Sequence, residues 1–119
     1  MTTQLTGSLG EEIAAQYLVS NGYDVRERNV RFKKFEIDIV AYDTQEKMMV
    51  FVEVKTREHH SQRYPIHTAV DGRKRGAMRK AVARWVTKHD YQESGRTDVL
   101  CVSGGRVVEH IKDLGSDFY

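Results

Sequence analysis

The stretch MMVFVEVKTR, residues 48–57, decides the fold, because it begins as an apolar β-strand and becomes charged with no turn residue between. Side chains alternate between the two faces of a strand, so one face carries Val50, Val52 and Val54. The opposite face carries Met49, Phe51, Glu53 and Lys55. We therefore predict that the strand leaves the sheet interior at Glu53 and enters either a charged cleft or a solvated sheet edge.

The residues just before this strand predict its neighbour. EIDIVAYD, residues 36–43, alternates in the same way, and the short polar segment TQEK joins the two strands into an antiparallel hairpin. If Ile37, Ile39 and Ala41 pack on the side of the three valines, a one-residue shift in strand pairing would turn one of these buried sets outward. This restricts the register of the hairpin. The other face then gathers Glu36, Asp38, Glu53 and Lys55 at one end.

Two helices are predicted from apolar residues at helical spacing. The first covers about residues 8–21, with a Ser8–Glu11 capping box at its start and Gly22 at its left-handed end. Its apolar face is formed by Leu9, Ile13, Ala14, Tyr17 and Leu18. The second covers about residues 70–89, with an apolar stripe formed by Met78, Ala81, Val82, Trp85 and Val86.

The remaining segments complete the predicted fold. A short strand is expected at about residues 23–30, a loop at 58–66, and two strands within 96–111 joined at Gly104 and Gly105. The order helix, three strands, helix, two strands predicts an α/β fold, a mixed β-sheet of about five strands flanked by helices. The length of 119 residues predicts one domain that covers the whole chain.

Composition excludes several classes of protein. The single cysteine, Cys101, excludes an internal disulfide and a cysteine metal cluster, and its apolar neighbours predict a core residue. No apolar run approaches the ~20 residues that span a bilayer. The N-terminus also lacks the layout of a signal peptide. We therefore expect a cytoplasmic protein without membrane contact.

Carboxylates that converge need a cation to offset their repulsion, and one lysine is insufficient for three of them. Asp38 and Glu53 offer the hard oxygen ligands that suit Mg²⁺ or Mn²⁺, with coordination positions left for water and a phosphate. Lys55 would then hold or deprotonate the attacking water. The alternative is a pair of cross-strand salt bridges on an exposed face, because E-x-K is a very short pattern.

The net charge is only +2, so the distribution of charge is more informative than its sum. Seven basic residues and no acidic one lie from position 73 to position 88. A second basic cluster is formed by Arg26, Arg28, Arg31, Lys33 and Lys34. The basic helix face is either merely solvated or contacts phosphates.

With Asp38 followed by Glu53-Val54-Lys55 at the end of the next strand, the sequence resembles the PD-(D/E)XK nuclease superfamily, which has the restriction-endonuclease-like fold. It resembles more closely the YraN-like proteins, a bacterial family related to archaeal Holliday-junction resolvases. The shared segments are GSLGEEIA (7–14), RNVR (28–31), FEIDIV (35–40), FVEVKTR (51–57), AVDGRKR (69–75) and RTDV (96–99). They occur in the family's order over nearly the whole chain.

The resemblance implies a metal-dependent DNA endonuclease that acts on branched or damaged DNA and leaves 5′-phosphate and 3′-hydroxyl ends. It implies that Asp38 and Glu53 bind Mg²⁺ (or Mn²⁺). Lys55 corresponds to the catalytic lysine, and Glu11 to an accessory acidic residue at the catalytic site. The Glu11 side chain also fits the capping box, so both of its roles stay open. Contacts with DNA are expected from Arg31, Lys33, Arg57, Arg73, Lys74, Arg75 and Lys80.

The sequence leaves open the role of Phe35, whether the protein is catalytic, and whether it forms a dimer. The family usually has glycine at the position of Phe35, so either the backbone enters the second strand differently or the substrate stacks on the ring. A non-catalytic nucleic-acid-binding module with the same fold is the alternative function. A homodimer would present two sites to one DNA duplex.

Overall fold

A computed structural model describes residues 3–57 and 72–112. The elements are α1 (Thr3–Ser20), β1 (Tyr23–Phe32), β2 (Phe35–Asp43), β3 (Met48–Arg57), α2 (Gly72–Lys88), β4 (Gly95–Ser103) and β5 (Arg106–Ile111). The five strands form one mixed sheet in the order β1-β2-β3-β4-β5, in which only β3 and β4 are parallel neighbours. The predicted α/β fold and its element order are confirmed. The predicted loop at 58–66 lies outside the described residues.

Helix α1 covers one face of the sheet. Ala14 and Leu18 are fully buried and pack in one cluster with Val50, Val52 and Leu100. The valine face of β3 is therefore core, as its alternation predicts. Burying a side chain of this size contributes about 1.5–3 kcal/mol relative to leaving it exposed.

Helix α2 covers the opposite face. Its predicted apolar stripe is confirmed, because Ala81, Val82 and Trp85 are buried against Phe51 of β3. The Trp85 indole nitrogen donates a hydrogen bond to the carboxylate of Glu27 on β1, so this ring is a core residue whose polar atom is satisfied. Within the described part of the chain, neither helix is long and apolar enough to cross a membrane.

Helix α1 begins earlier than predicted. It starts at Thr3, so Ser8 lies inside the helix and the predicted capping box is wrong. Nothing between the observed and the predicted start stops a helix, since the segment lacks proline. The predicted end is confirmed, because Gly22 has φ +88° and takes the left-handed conformation that closes a helix. Leu9, predicted on the buried face, is 48% exposed.

The β2–β3 hairpin places two of the three predicted β2 residues on the same face as the valines of β3. Ile39 lies opposite Val52 and Ala41 opposite Val50, so these four residues share the face that α1 covers. Ile37 was predicted on that face as well, and this prediction is wrong. Its side chain packs in the α2-side core, because the β2–β3 ladder ends at Ile39 and regular alternation stops there.

The last two strands follow their prediction. The β4–β5 turn contains Gly104 and Gly105, with φ +61° and +78°, values that favour glycine. Cys101 is fully buried, and its burial raises the pKa of the thiol. The predicted core role of this cysteine is confirmed.

A buried polar network crosses the α1 side of the sheet, which the sequence did not predict. The guanidinium of Arg96 lies 3.0 Å from Asp43 Oδ2 and 2.9 Å from Asp98 Oδ1. His110 Nε2 lies 2.7 Å from Asp98 Oδ2, and its Nδ1 lies 2.9 Å from the Tyr17 hydroxyl. The fully buried Asp98 carboxylate is thus paired on both oxygens. Such pairing is what allows a charge to lie inside a core.

Candidate active site

The site begins where strands β2 and β3 part. Their ladder ends at Ile39–Val52, after which β2 continues beside β1 and β3 continues beside β4. The side chain of Asp38 bridges the resulting fork, since its Oδ2 accepts a hydrogen bond from the Val54 amide at 2.8 Å. The charged half of MMVFVEVKTR therefore lies in a fork between two strands.

The carboxyl group of Asp38 has the most perturbed acidity in the fork. Burial raises its pKa from 3.8 to about 7, and the nearby charges of Glu11, Glu53 and Glu36 add to this effect. The hydrogen bond from the Val54 amide favours the ionised form but does not compensate. A carboxyl group that titrates near neutral pH in a fork of other carboxylates is typical of a functional site.

Glu53 and Lys55 project from β3 into the same region. Lys55 Nζ lies 2.8 Å from Glu53 Oε1, and the two side chains are 16% and 22% exposed respectively. This ion pair lies within one strand and is largely buried, so it differs from the exposed cross-strand pairs of the alternative interpretation. The Lys55 ammonium group thus pairs with Glu53, one of the carboxylates whose charge acts on Asp38.

Glu11 reaches the fork from α1. Burial raises the pKa of its carboxyl group, the charge of Arg28 opposes that shift, and a side-chain hydrogen bond with Asn29 opposes it too. The helix comes close to β3 because position 10 is glycine. A Cβ on Gly10 would lie 2.0 Å from Thr56 Oγ1, far inside van der Waals contact. The charges of Glu11 and Glu53 act on Asp38, and Lys55 pairs with Glu53. The four predicted catalytic residues, Glu11, Asp38, Glu53 and Lys55, are thus linked by these neighbouring interactions.

Asp38 and Glu53 are the residues predicted to bind a metal at this site. Among residues 3–57 and 72–112, no three or more His, Cys, Asp and Glu side chains form a group that could hold a metal. Mg²⁺ is often bound through one or two carboxylates, with waters and substrate phosphates in its other positions. Asp38 and Glu53, whose charges interact, are the two carboxylates that could serve as this set.

The residues predicted to contact DNA come from β1, the β1–β2 turn, β3 and α2. Arg31 pairs with Glu36, with Nε 3.5 Å from Oε2. Lys33 is exposed in the β1–β2 turn, Arg57 is half-buried at the end of β3, and Lys80 is exposed on α2. Three more belong to the first turn of α2, but their side chains lie outside the described residues: Arg73, Lys74 and Arg75.

Two residues near the site were missed as functional candidates. Arg28 and Asn29 both act on Glu11, and Asn29 has φ +54°. The available signal was the residue type, because asparagine tolerates the left-handed region better than other residues with a side chain. Alternation alone assigns both positions to an ordinary strand.

Comparisons with known proteins identify relatives of the chain. The family model described as "Uncharacterised protein family UPF0102" matches residues 10–102. A UPF0102 protein of Pelobacter propionicus is 43% identical over 111 residues, which cover 89% of this chain and 79% of that protein. A UPF0102 protein of Trichlorobacter lovleyi is 41% identical, over 91% of this chain and 87% of the relative. A UPF0102 protein of Beutenbergia cavernae is 38% identical, with 92% and 94% covered.

Proposed function

The chain belongs to the uncharacterised protein family UPF0102, the YraN family, and from its acidic fork we propose that it is a metal-dependent DNA endonuclease. The observation that carries the proposal is the convergence of Glu11, Glu36 and Glu53 on Asp38, which helps to raise the pKa of Asp38 to about 7. Converging carboxylates with a raised pKa are typical of functional sites, and a bound cation would offset their repulsion.

The proposed chemistry is hydrolysis of a phosphodiester bond. Asp38 and Glu53 would hold Mg²⁺ or Mn²⁺, which supplies stabilisation of the negative charge that develops on the phosphate and the leaving oxygen. The Lys55 ammonium, held by Glu53, donates a hydrogen bond that orients the attacking water. Glu11 has a raised pKa and is suited to accept the proton of that water.

The substrate is proposed to be branched or damaged DNA, as the resemblance to resolvases implies. The basic residues around the fork bind phosphates, which orients the strand without reading its sequence. A homodimer would offer two forks to one duplex.

A non-catalytic nucleic-acid-binding module is the second candidate. It is favoured because the described residues do not form a complete three-ligand metal group. It is also consistent with the ion pair that engages Glu53.

The test is cleavage of end-labelled four-way junction, flap, single-stranded and duplex DNA with Mg²⁺, Mn²⁺ or EDTA. We expect metal-dependent products from the wild type and none from Asp38→Asn or Lys55→Met. Asp24→Asn, an exposed carboxylate paired with Arg26, is the matched control and should cleave normally. The fluorescence of Trp85, which lies in the core, verifies that each variant is folded.

The two candidate functions give different outcomes. Intact DNA in all metal conditions, together with DNA binding by the wild type, would reject the endonuclease and favour the binding module. Equal cleavage by wild type and Asp38→Asn would show that the activity does not belong to this fork.

A further inference from the structure

Three cations surround one aromatic ring beside the fork. The side-chain nitrogen of Lys34 lies 5.7 Å from the ring centroid of Phe35, and that of Lys80 lies 5.5 Å from it. The guanidinium carbon of Arg84 lies 5.6 Å from the same centroid. Lys34 comes from the β1–β2 turn, whereas the other two come from α2. Two separate elements thus bring positive charge to the Phe35 ring.

The ring orders these cations without neutralising them. Cation–π attraction holds a charged group near a ring, whereas a carboxylate partner would cancel its charge. Within residues 3–57 and 72–112, no ion pair joins Lys34, Lys80 or Arg84 to a carboxylate. Phe35 itself packs on the α2-side core and is therefore fixed. The result is a cluster of three exposed cations around one ring, none of them paired with a described carboxylate.

The cluster borders a groove of about 570 Å³ between the β1–β2 hairpin and α2. Its walls include Phe32, Lys80, Arg84 and Lys88, so an extended anion would meet charge along its length. Phe35 precedes Asp38 by three residues in β2, which at ~3.3 Å per residue is about 10 Å. At ~3.4 Å per nucleotide along one strand of a duplex, that separation corresponds to about three nucleotides.

We infer that this groove is a second binding site, an exosite that grips the phosphodiester backbone of nucleic acid beyond the scissile bond. The inference rests on the proposed function, in that nucleic acid is the ligand. Charge complementarity selects the ligand, because a row of cations with no intervening carboxylate matches a row of phosphates. The half-buried phenylalanines do not protrude as the apolar anchors of a membrane surface do.

The test is binding measured in EDTA, so that cleavage plays no part. The full chain is titrated against short fluorescein-labelled duplex and single-stranded DNA by anisotropy at several salt concentrations. The groove variant carries Lys80→Gln and Arg84→Gln together. The control carries Arg106→Gln and Lys112→Gln, which remove equal charge from exposed positions at or just beyond β5, the strand at the opposite edge of the sheet from β1.

We expect the groove variant to lower the salt slope by about 1.8 for duplex or about 1.4 for single strand, since two phosphate contacts are lost. Its affinity at ~0.1 M salt should fall by roughly 30-fold, whereas the control should stay within about threefold of wild type. Phe35→Leu keeps an apolar side chain and removes the ring, and should weaken binding by about three- to tenfold.

Equal losses in the groove variant and its control would overturn the inference, as would unchanged binding in the groove variant. Groove-dependent binding to phosphatidylserine vesicles with none to DNA would also overturn it, in favour of a lipid surface. The endonuclease proposal fails separately. Groove-dependent DNA binding without any cleavage rejects the enzyme and retains the exosite. Normal cleavage by the groove variant, with unchanged affinity for DNA, rejects the exosite and retains the enzyme.

Discussion

Replacing Asp38 with asparagine is expected to stabilise the protein, and by more at alkaline than at acidic pH. Burial and neighbouring carboxylates raise the pKa of Asp38 from 3.8 to about 7, so the folded protein holds this proton more tightly than the unfolded chain. The stability that comes from the neutral Asp38 carboxyl group is therefore fully present below about pH 4 and is lost as the pH rises to about 7. Asparagine mimics the neutral acid and retains an oxygen for the Val54 amide.

The magnitude follows from the size of the shift. A difference of about three pKa units corresponds to about 4 kcal/mol once Asp38 is fully ionised. At about pH 5 the unfolded chain is already ionised while the fold is still protonated, and the cost is about 2 kcal/mol. The gain in unfolding free energy from Asp38→Asn should thus be about 2 kcal/mol larger at about pH 8 than at about pH 5.

The assay is urea unfolding in EDTA at the two pH values, followed by tryptophan fluorescence. Trp85 is the only tryptophan and is 4% exposed in the α2-side core, so its signal reports loss of tertiary packing. Asp24→Asn serves as the control, because it makes the same chemical change at an exposed carboxylate. An Asp38→Asn effect of equal size at both pH values would refute the reasoning, as would destabilisation that grows with pH.

Three further substitutions test the packing of the helices and the buried polar network. Gly10→Ala should destabilise the protein by about 1–3 kcal/mol, since its Cβ would collide with Thr56. Gly76→Ala on α2 meets open space and should stabilise by up to about 1 kcal/mol, so thermal unfolding that ranks the two alike would contradict the role given to Gly10. Asp98→Asn removes a fully buried charge that pairs with Arg96, and should cost about 3–5 kcal/mol in urea unfolding. A cost below about 1 kcal/mol would show that the network does not depend on this charge.

Local patterns predicted the order of elements and most of the core. Alternation placed Val50 and Val52 on a buried face, and helical spacing placed Trp85 in the core. These patterns depend on residues a few positions apart, which is why one sequence suffices to read them. The same alternation predicted that Ile39 and Ala41 share a face with the valines, and that Glu53 and Lys55 lie together on the other face of β3.

The predicted start of α1 was wrong because it relied on a pattern of only four residues. The S-x-x-E pattern is local and common, whereas in the structure Glu11 interacts with Arg28 and Asn29 of strand β1. Those contacts come from tertiary packing, which a pattern of four neighbouring residues does not report.

The sequence by itself determined which residues face the core and which acids and lysine lie near the end of β3. Only the tertiary structure decided that β2 leaves β3 at Ile39, that the Asp38 carboxylate bridges the fork, and that α1 approaches through Gly10. It also decided that lysines and an arginine from two elements surround Phe35. The physical reason is that alternation and helical spacing are properties of a short segment. The length of a ladder and the acidity of a carboxyl group instead depend on which distant segments pack beside it.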